Sequence, residues 1–212
     1  MEFNDKYEKQ MISIDISIFG VIDNKLKVLL IKRTNEPYLN MWGLIGGGVY
    51  NFESCEDAVQ RELQEKLGIN QISPILSGVF SEPNRDVRFR NISISYYCMT
   101  NADLLKNHNE TGRETEWFEI NELPNLAFDH KDILLKALQN LKEKAFDINF
   151  MKEYLPKQFT LGSLQTIYES ILQTSLDKRN FRRKMNSLKC LESTGLKNEL
   201  DAHKKSEIYK FK

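Results

Sequence analysis

The chain has 212 residues, of which 41% are hydrophobic and 28% are charged, a composition typical of folded proteins and not of disordered tails. The length fits a medium domain plus a small one. Its apolar stretches are only a few residues long and its first ten residues are polar, so we expect neither a transmembrane helix nor a signal peptide. Three cysteines without a CxxC pattern argue against a disulfide framework and a zinc site, which favours a cytoplasmic protein with no membrane partner.

The charges are distributed unevenly along the chain. Residues 1–150 contain 17 basic and 23 acidic residues, a balance of −6, whereas residues 151–212 contain 13 basic and 7 acidic residues, a balance of +6. A basic C-terminal part on an acidic body is typical of a nucleic-acid partner. A solvated lysine-rich tail is the alternative interpretation.

Hydrophobic periodicity predicts a mixed first region. Isoleucines alternate with polar residues in the first strand, and a turn at Asp23-Asn24 separates it from the second. Predicted strands cover residues 11–20, 25–33, 71–80, 91–100 and 114–120, predicted helices cover 54–67 and 129–145, and 35–50 is a glycine-rich loop. This order indicates an α+β or α/β sandwich. We predict that this first domain covers residues 1–148 and that a second domain covers residues 149–212.

The second region changes to two helices and a charged hairpin. Thr160 is positioned to cap the first helix and Asp177 the second, which extends to residue 191. In the second helix, Phe181, Met185 and Leu188 form the predicted core stripe. The opposite face then carries basic and amide side chains, as in a helix that enters the major groove: Arg179, Arg182, Arg183 and Asn186. Helix, turn, basic helix and basic hairpin predict a winged helix-turn-helix, although a small helical docking domain fits the periodicity equally well. The +6 balance favours DNA.

A glycine loop precedes a helix that carries two acidic residues. Glycines 46, 47 and 48 allow close backbone approach to a ligand. Helical spacing places Glu62 and Glu65 on one face, away from the apolar stripe, and clustered carboxylates suit Mg²⁺. For two acids alone, a solvent-exposed helix face is the favoured alternative.

The spacing of this segment is far more specific than its composition. Gly47, Glu53, Arg61-Glu62-Leu63, Glu65 and Gly68-Ile69 resemble the Nudix box, and residues 42–47 resemble the Trp-x-Leu-Pro-Gly-Gly sequence before it, with Ile45 in place of Pro. The resemblance implies an α/β/α Nudix sandwich that hydrolyses nucleoside diphosphates linked to another moiety, using a divalent metal ion and an activated water. It places Glu62 and Glu65 at catalytic metal-ligand positions, and Arg61 with Glu53 as an orienting pair.

Lys66 departs from the Nudix pattern, which has a second adjacent glutamate at this position. An ammonium group next to Glu62 repels a cation, and the two side chains can pair instead. We therefore expect Glu62 and Glu65 to be vestigial, with weak or absent metal binding and no required cofactor. Mg²⁺ is expected only if residual hydrolase activity remains.

Three arginines precede the predicted strand at 91–100. Arg85, Asp86 and Arg88 resemble the Arg-Asp-x-Arg segment of the ADP-ribose-related Nudix branch, and arginine forks suit phosphate groups. For any single arginine, a solvated turn is the alternative. The predicted effector-binding residues are Arg33, Gly46, Gly47, Arg85, Asp86 and Arg88.

Nearly the whole chain resembles the Nudix-related transcriptional regulators. In addition to the Nudix-like segment, the resemblance includes residues 159–185, which contain the stretch Asp-Lys-Arg-Asn-Phe-Arg, and residues 126–138. It implies a homodimer on palindromic double-stranded operator DNA, with a Nudix domain that senses an effector. One branch senses ADP-ribose and controls NAD synthesis genes, whereas another senses a pentose. The Arg-Asp-x-Arg segment favours ADP-ribose.

The candidate DNA-binding residues are Lys178, Arg179, Asn180, Arg182, Arg183, Asn186, Lys204 and Lys205. Of these, we expect Arg179, Arg183 and Asn186 to contact base edges and Lys178, Lys204 and Lys205, together with Lys184, to contact phosphates. A Mg²⁺-dependent pyrophosphatase of the ADP-ribose type and a bifunctional protein remain the alternatives, and Lys66 is the residue that separates them from a regulator.

Overall fold

The computed structural model describes residues 9–69, 72–100, 112–198 and 206–212. The chain forms two compact units. The first contains the residues up to Gly20 and Lys27–Asn140, and the second contains Val21–Leu26 and Leu141–Lys212. Within the described ranges, no helix is long and apolar enough to cross a membrane.

A mixed sheet forms the centre of the first unit. Its strands are β1 (Met11–Ile22), β2 (Lys25–Lys32), β3 (Trp42–Gly43), β4 (Ile45–Gly48), β5 (Ile75–Phe80), β6 (Asn91–Thr100) and β7 (Thr115–Glu119). The order is β3-β2-β1-β6-β5, and β4 and β7 pair with β1 and β2 in addition. Strand β1 runs parallel to β6 and antiparallel to β4. The central strand therefore has neighbours on both edges along the stretch that forms the site.

Two helices flank this sheet, α1 (Cys55–Leu67) and α2 (His130–Lys144). A capping box of Ser54 and Asp57 begins α1, and Gly68, at φ 68°, ends it. The apolar stripe of α1 packs against the buried isoleucines of β1, which are Ile14, Ile16 and Ile18. Because alternate residues of a strand point to opposite faces, Asp15 reaches His130 at the start of α2 instead. The predicted α/β/α sandwich is confirmed.

The structure differs from the predicted loop at 35–50, which contains β3 and β4. Gly46 lies opposite Asp15 in the β1–β4 pairing, and a Cβ atom there would approach the Ile14 carbonyl oxygen to 2.1 Å. Glycine disfavours strands, but backbone pairing with β1 outweighs that preference. Gly46 therefore makes room for the neighbouring strand, a reason that the sequence did not reveal.

The second unit contains three further helices and a small sheet. Its elements are α3 (Ile148–Met151), β8 (Phe159–Thr160), α4 (Leu161–Leu172), α5 (Lys178–Ser187), β9 (Leu191–Asn198) and β10 (Ser206–Phe211), with sheet order β8-β10-β9. Thr160 and Asp177 cap α4 and α5. In the core, the Tyr168 ring lies 5.0 Å from Phe146 and 5.4 Å from Phe181, measured between ring centroids.

Two sequence predictions in this unit need correction. Helix α5 ends at Ser187, and Leu188 is its C-cap, 39% exposed, so the core stripe consists of Phe181 and Met185 alone. The chain turns at Lys189, which has a positive φ of 51°, and this prevents the helix from continuing. The short helix α3 and strand β8 were not predicted, because four and two residues carry too little periodicity.

Candidate functional site

A cavity of about 230 Å³ lies within the first unit. Its walls come from β1, the end of β2, β4, residues 85–91 and the start of α2. All six predicted effector-binding residues line it: Arg33, Gly46, Gly47, Arg85, Asp86 and Arg88. Six basic side chains line it against Asp15 and Asp86, but neighbouring carboxylates pair with three of them: Glu114 with Lys32, Glu62 with Lys66 and Asp129 with Arg85. The positive charge that remains for an anionic ligand such as a diphosphate therefore comes mainly from Arg33 and Arg113.

Arg85 lies in a buried ion network at the base of the cavity. Its side chain is 3% exposed and donates two hydrogen bonds to Asp129, at 2.8 Å from Nε to Oδ2 and 2.7 Å from Nη2 to Oδ1. The Asp15 carboxylate lies 3.5 Å from Nη2. The guanidinium is therefore held rigidly by carboxylates, and most of its charge is compensated within the protein.

His130 extends this network to the sheet. Its Nδ1 atom accepts a hydrogen bond from the Leu44 backbone N–H at 2.9 Å, and its Nε2 atom lies 3.4 Å from Asp15 Oδ1. Burial lowers the pKa of His130, an effect that outweighs the opposing attraction of Asp15 and Asp129. An imidazole that accepts at Nδ1 carries its proton on Nε2, which faces Asp15.

Arg88 and Asp86 pair with each other at the side of the cavity. Arg88 Nη2 lies 2.7 Å from Asp86 Oδ2, and Nε lies 3.0 Å from Oδ1. Burial opposes ionisation of Asp86, but the hydrogen bonds from Arg88 hold its pKa below the usual value. Those bonds also raise the pKa of Arg88. The guanidinium stacks near the rings of Phe89 and Phe128, at 4.8 and 5.6 Å from their centroids.

Unlike Arg85 and Arg88, which pair with carboxylates, Arg33 and Arg113 donate hydrogen bonds to uncharged groups. Arg33 donates to the carbonyl oxygens of Pro37 and Asn35, and Arg113 donates to Thr34 Oγ1 at 3.0 Å. Burial lowers the pKa of Arg33, and the nearby Arg88 adds to this effect. These two side chains therefore contribute positive charge that the direct hydrogen-bond partners do not neutralise.

The predicted orienting pair is present beside the cavity. Arg61 donates to Glu53 at 2.9 Å from Nε and 2.7 Å from Nη2, and also to the Gly48 carbonyl and Glu62. These hydrogen bonds, the one to Glu53 first, raise the pKa of Arg61, and the same bond lowers the pKa of Glu53. The arrangement fixes the position of Glu62 relative to β4.

The two glutamates of the Nudix-like segment do not share one environment. Glu62 is buried and touches Gly47, where a Cβ atom would approach Glu62 Oε1 to 2.1 Å. Glu65 is 56% exposed and lies 3.7 Å from Arg61. Both carboxylates lie near Arg61 Nη1, Glu62 at 2.6 Å and Glu65 at 3.7 Å, which agrees with the predicted shared helix face. They differ in burial, because Glu62 packs against β4 whereas Glu65 is largely exposed to solvent.

Lys66 occupies the position beside Glu62 where the Nudix pattern has a carboxylate. Its Nζ atom lies 2.8 Å from Glu62 Oε2 and donates to the Gly46 carbonyl oxygen. Within the described residues, no group of three or more His, Cys, Asp or Glu side chains is arranged to hold a metal ion. The donor set of one buried carboxylate, one exposed carboxylate and one ammonium does not fit Mg²⁺.

The predicted nucleic-acid face lies on α5 in the second unit. Phe181 and Met185 are buried, whereas the basic and amide residues are exposed: Lys178, Arg179, Asn180, Arg182, Arg183, Lys184 and Asn186. Arg183 donates to Asn180 Oδ1 at 3.0 Å, and the Lys184 ammonium lies 3.3 Å from the Phe146 ring centroid. Lys204 and Lys205 lie outside the described residues.

Several cavity residues were missed by sequence reasoning. Arg113 and Lys32 stand in no motif, and Asp15, Phe128 and His130 occur in segments that read as a core strand and a helix start. A charged Asp15 within an apolar strand was the one signal available, since buried carboxylates require partners.

Comparisons with known proteins agree with this architecture. Residues 11–139 match the family model of the NUDIX domain, and residues 151–211 match that of the NrtR DNA-binding winged helix domain. The chain is 32% identical over 214 aligned positions to the ADPR responsive transcriptional repressor NtrR of Acinetobacter baylyi, covering 97% of this chain and 83% of that protein.

One solved structure is similar to nearly the whole chain, and a second is similar to its first domain. The crystal structure of Shewanella oneidensis NrtR complexed with a 27mer DNA is 28% identical, with a TM-score of 0.73, covering 95% of this chain and 93% of that chain. The NUDIX domain of the same protein, complexed with ADP ribose, is 27% identical with a TM-score of 0.56, covering 66% of this chain and 94% of that chain. The predicted family is confirmed: the chain belongs to the NUDIX family and to its NrtR branch, in which a NUDIX domain precedes the NrtR DNA-binding winged helix domain.

Proposed function

We propose that this protein is a DNA-binding transcription regulator whose NUDIX domain binds ADP-ribose and thereby changes the affinity of the winged helix for operator DNA. The observation that carries the proposal is the cavity itself. It gathers all six predicted effector-binding residues and adds Arg113, which like Arg33 has only uncharged direct hydrogen-bond partners. A diphosphate provides the complementary negative charge, whereas a free pentose does not.

The DNA-binding half of the proposal is supported by α5. Its two apolar residues are buried and its basic and amide side chains are exposed on one short helix. Direct readout of DNA uses arginine and asparagine side chains on such a helix in the major groove. The relative from A. baylyi is named a repressor, and we extend that sign of control to this chain.

The accompanying proposals concern assembly, location and cofactors. We propose a homodimer on a palindromic operator, because a two-fold symmetric protein matches a two-fold symmetric DNA site. A cytoplasmic location fits a DNA-binding protein with free cysteines at positions 55, 98 and 190. We also propose that regulation requires no metal cofactor, because the Lys66 ammonium lies beside Glu62 where the Nudix pattern has a second carboxylate. Light scattering at several protein concentrations tests the dimer, and a concentration-independent monomer mass would contradict it.

The decisive experiment is an anisotropy titration of the full chain against a labelled fragment of its own upstream region. Random DNA of the same length serves as the control. We expect salt-sensitive, sequence-preferring binding that ADP-ribose changes at least fivefold in apparent Kd. Equal binding to both fragments, and to a pool of genomic fragments, would contradict DNA regulation. Sequence-preferring binding that a pentose changes and ADP-ribose does not would contradict the proposed effector.

A further inference from the structure

We propose that Lys66 serves as the built-in cation of the cavity, so that a diphosphate ligand binds there without a divalent metal ion. This inference rests on the proposed function for the identity of the ligand. Lys66 lines the cavity together with Gly46 and Gly47, and its ammonium lies 2.8 Å from Glu62 Oε2.

Glu62 shows why a cation is needed at this place. Its side chain is 7% exposed and lies against Gly47 in the cavity wall. A buried carboxylate beside a cavity repels the phosphate groups of an entering ligand unless a positive charge compensates it. Arg61 Nη1 lies 2.6 Å from Glu62 Oε1 and Lys66 Nζ lies 2.8 Å from Oε2. Each oxygen of the Glu62 carboxylate therefore already lies in contact with a cationic side chain of the protein.

The same contacts exclude a divalent ion from the position. A metal ion on Glu62 would displace the ammonium from Oε2 and from the Gly46 carbonyl oxygen, which the ammonium also contacts. It would then lie within a few ångströms of that ammonium, and the two positive charges would repel each other. Glu65, more than half exposed and directed toward Arg61, supplies no buried second carboxylate.

Lys66 also holds the cavity wall in place. By bridging Glu62 of α1 and Gly46 of β4, the ammonium connects the helix to the strand whose backbone borders the cavity. Lys66 is thus a positioning residue as well as a source of charge. A purely structural role would alter stability but would leave the metal dependence of the protein unchanged, and this difference is what the test measures.

The first measurement uses Mn²⁺ alone, without nucleotide, followed by the electron paramagnetic resonance signal of the free ion. Three full-length proteins are compared: wild type, Lys66→Glu, and Lys136→Glu as a control of equal charge change at an exposed site on α2. We expect Lys66→Glu to gain one Mn²⁺ equivalent that wild type and Lys136→Glu lack. Stoichiometric Mn²⁺ binding by wild type and not by the variant would overturn the inference, as would a Lys66→Glu protein, folded by circular dichroism, that binds none.

The second measurement titrates ADP-ribose by calorimetry in EDTA and in Mg²⁺. We expect the wild-type Kd to agree within about twofold between the two buffers, and Lys66→Glu to bind at least tenfold more weakly in EDTA and to recover in Mg²⁺. A neutral variant, Lys66→Met, should lose affinity in both buffers without recovery. Wild-type binding that strengthens tenfold in Mg²⁺ would overturn the inference. If wild type binds no ADP-ribose in either buffer, the proposed effector fails, and the Mn²⁺ titration still decides the role of Lys66.

Discussion

The cavity of the first unit and the basic face of the second unit are built in different ways. The cavity collects side chains from separate segments between Met11 and His130, and Arg85 at its base is held in a buried ion network with Asp15 and Asp129. The basic face comes from ten consecutive residues of α5, and its side chains point to solvent. In the cavity, a functional side chain is also a structural one. On α5, the exposed residues expected to bind DNA differ from the buried residues that stabilise the fold. Substitution of an exposed residue should therefore change DNA binding and leave stability nearly unchanged.

The largest expected effect is that of Arg85→Ala. Removal of the guanidinium leaves Asp129 and Asp15 without their cationic partner in a buried network. We expect the free energy of unfolding to fall by about 3–5 kcal/mol, the usual cost of breaking a buried ion pair. Urea unfolding followed by circular dichroism measures it. Arg179→Ala is the control and should change stability by less than about 0.5 kcal/mol. Equal losses for the two variants would remove the distinction between the sites.

Gly46→Ala should also destabilise the first unit. The new Cβ atom would lie 2.1 Å from the Ile14 carbonyl oxygen, which cannot move without disturbing β1. Overpacking of this kind costs about 1–3 kcal/mol. Gly48→Ala is the matched control, because its nearest neighbour is the flexible end of Met11 at 3.1 Å. The melting temperatures of the two variants provide the comparison, and a Gly46→Ala protein as stable as Gly48→Ala would contradict it.

On α5, Arg179→Ala should weaken operator binding while the fold remains intact. Loss of a specific base contact costs about 1–3 kcal/mol, or roughly 5–150-fold in Kd, and relaxes sequence preference. Lys178→Ala, at an expected phosphate contact, should instead weaken operator and random DNA alike and reduce the salt dependence. Anisotropy titrations at several salt concentrations distinguish the two results. Equal behaviour of both variants on both DNAs would contradict these assignments.

Protonation of His130 should weaken the first unit in mild acid. Burial holds the pKa of His130 below its usual value of 6.5, so the unfolded chain binds more protons than the folded one just below that pH. Stability contributed by the neutral imidazole is therefore complete above pH 6.5 and is lost as the pH falls. The slope reaches about 1.4 kcal/mol per pH unit at most. Urea unfolding between pH 7.5 and 5.5 should show a smaller slope for His130→Gln, and an unchanged slope would contradict the assignment.

The smallest effect is expected at the start of α5. Asp177 caps this helix by accepting a hydrogen bond from the Asn180 backbone N–H at 2.8 Å. Asp177→Ala should destabilise the second unit by about 1 kcal/mol, whereas Asp177→Asn, an equally good cap, should have little effect. Thermal unfolding measures both. A loss of the same size in Asp177→Asn would indicate that the charge of Asp177, and not its capping bond, is responsible.

The parts of the molecule that depend on local periodicity were predicted well. The predicted caps at Thr160 and Asp177 follow from short-range hydrogen bonds between a side chain and the backbone three residues later. The buried stripe of α1 and the exposed face of α5 follow from helical spacing. Helical spacing did not define the end of α5, because the same spacing fits a helix that continues through Leu188 and one that stops before it.

The cavity was only partly predictable for the opposite reason. The sequence pointed to Arg85, Asp86 and Arg88 through a motif, but gave no indication that Arg85 pairs with Asp129, 44 residues away. It also left the glycine segment as a loop, because glycine has a low strand propensity and the pairing partner β1 lies about 30 residues earlier in the chain. Long-range pairings of this kind have no local signature.

The sequence by itself determined the family, the order of the two domains, the substitution of Lys66 for a metal-binding carboxylate and the basic composition of α5. These properties depend on which residues are present and on their spacing over short distances along the chain. Only the tertiary structure decided that Glu62 is buried while Glu65 is exposed, that Lys66 bridges Glu62 and Gly46, and that Lys32 and Arg113 join the cavity. The physical reason is that burial and charge compensation depend on which distant segments fold together, and helical or strand periodicity does not encode that.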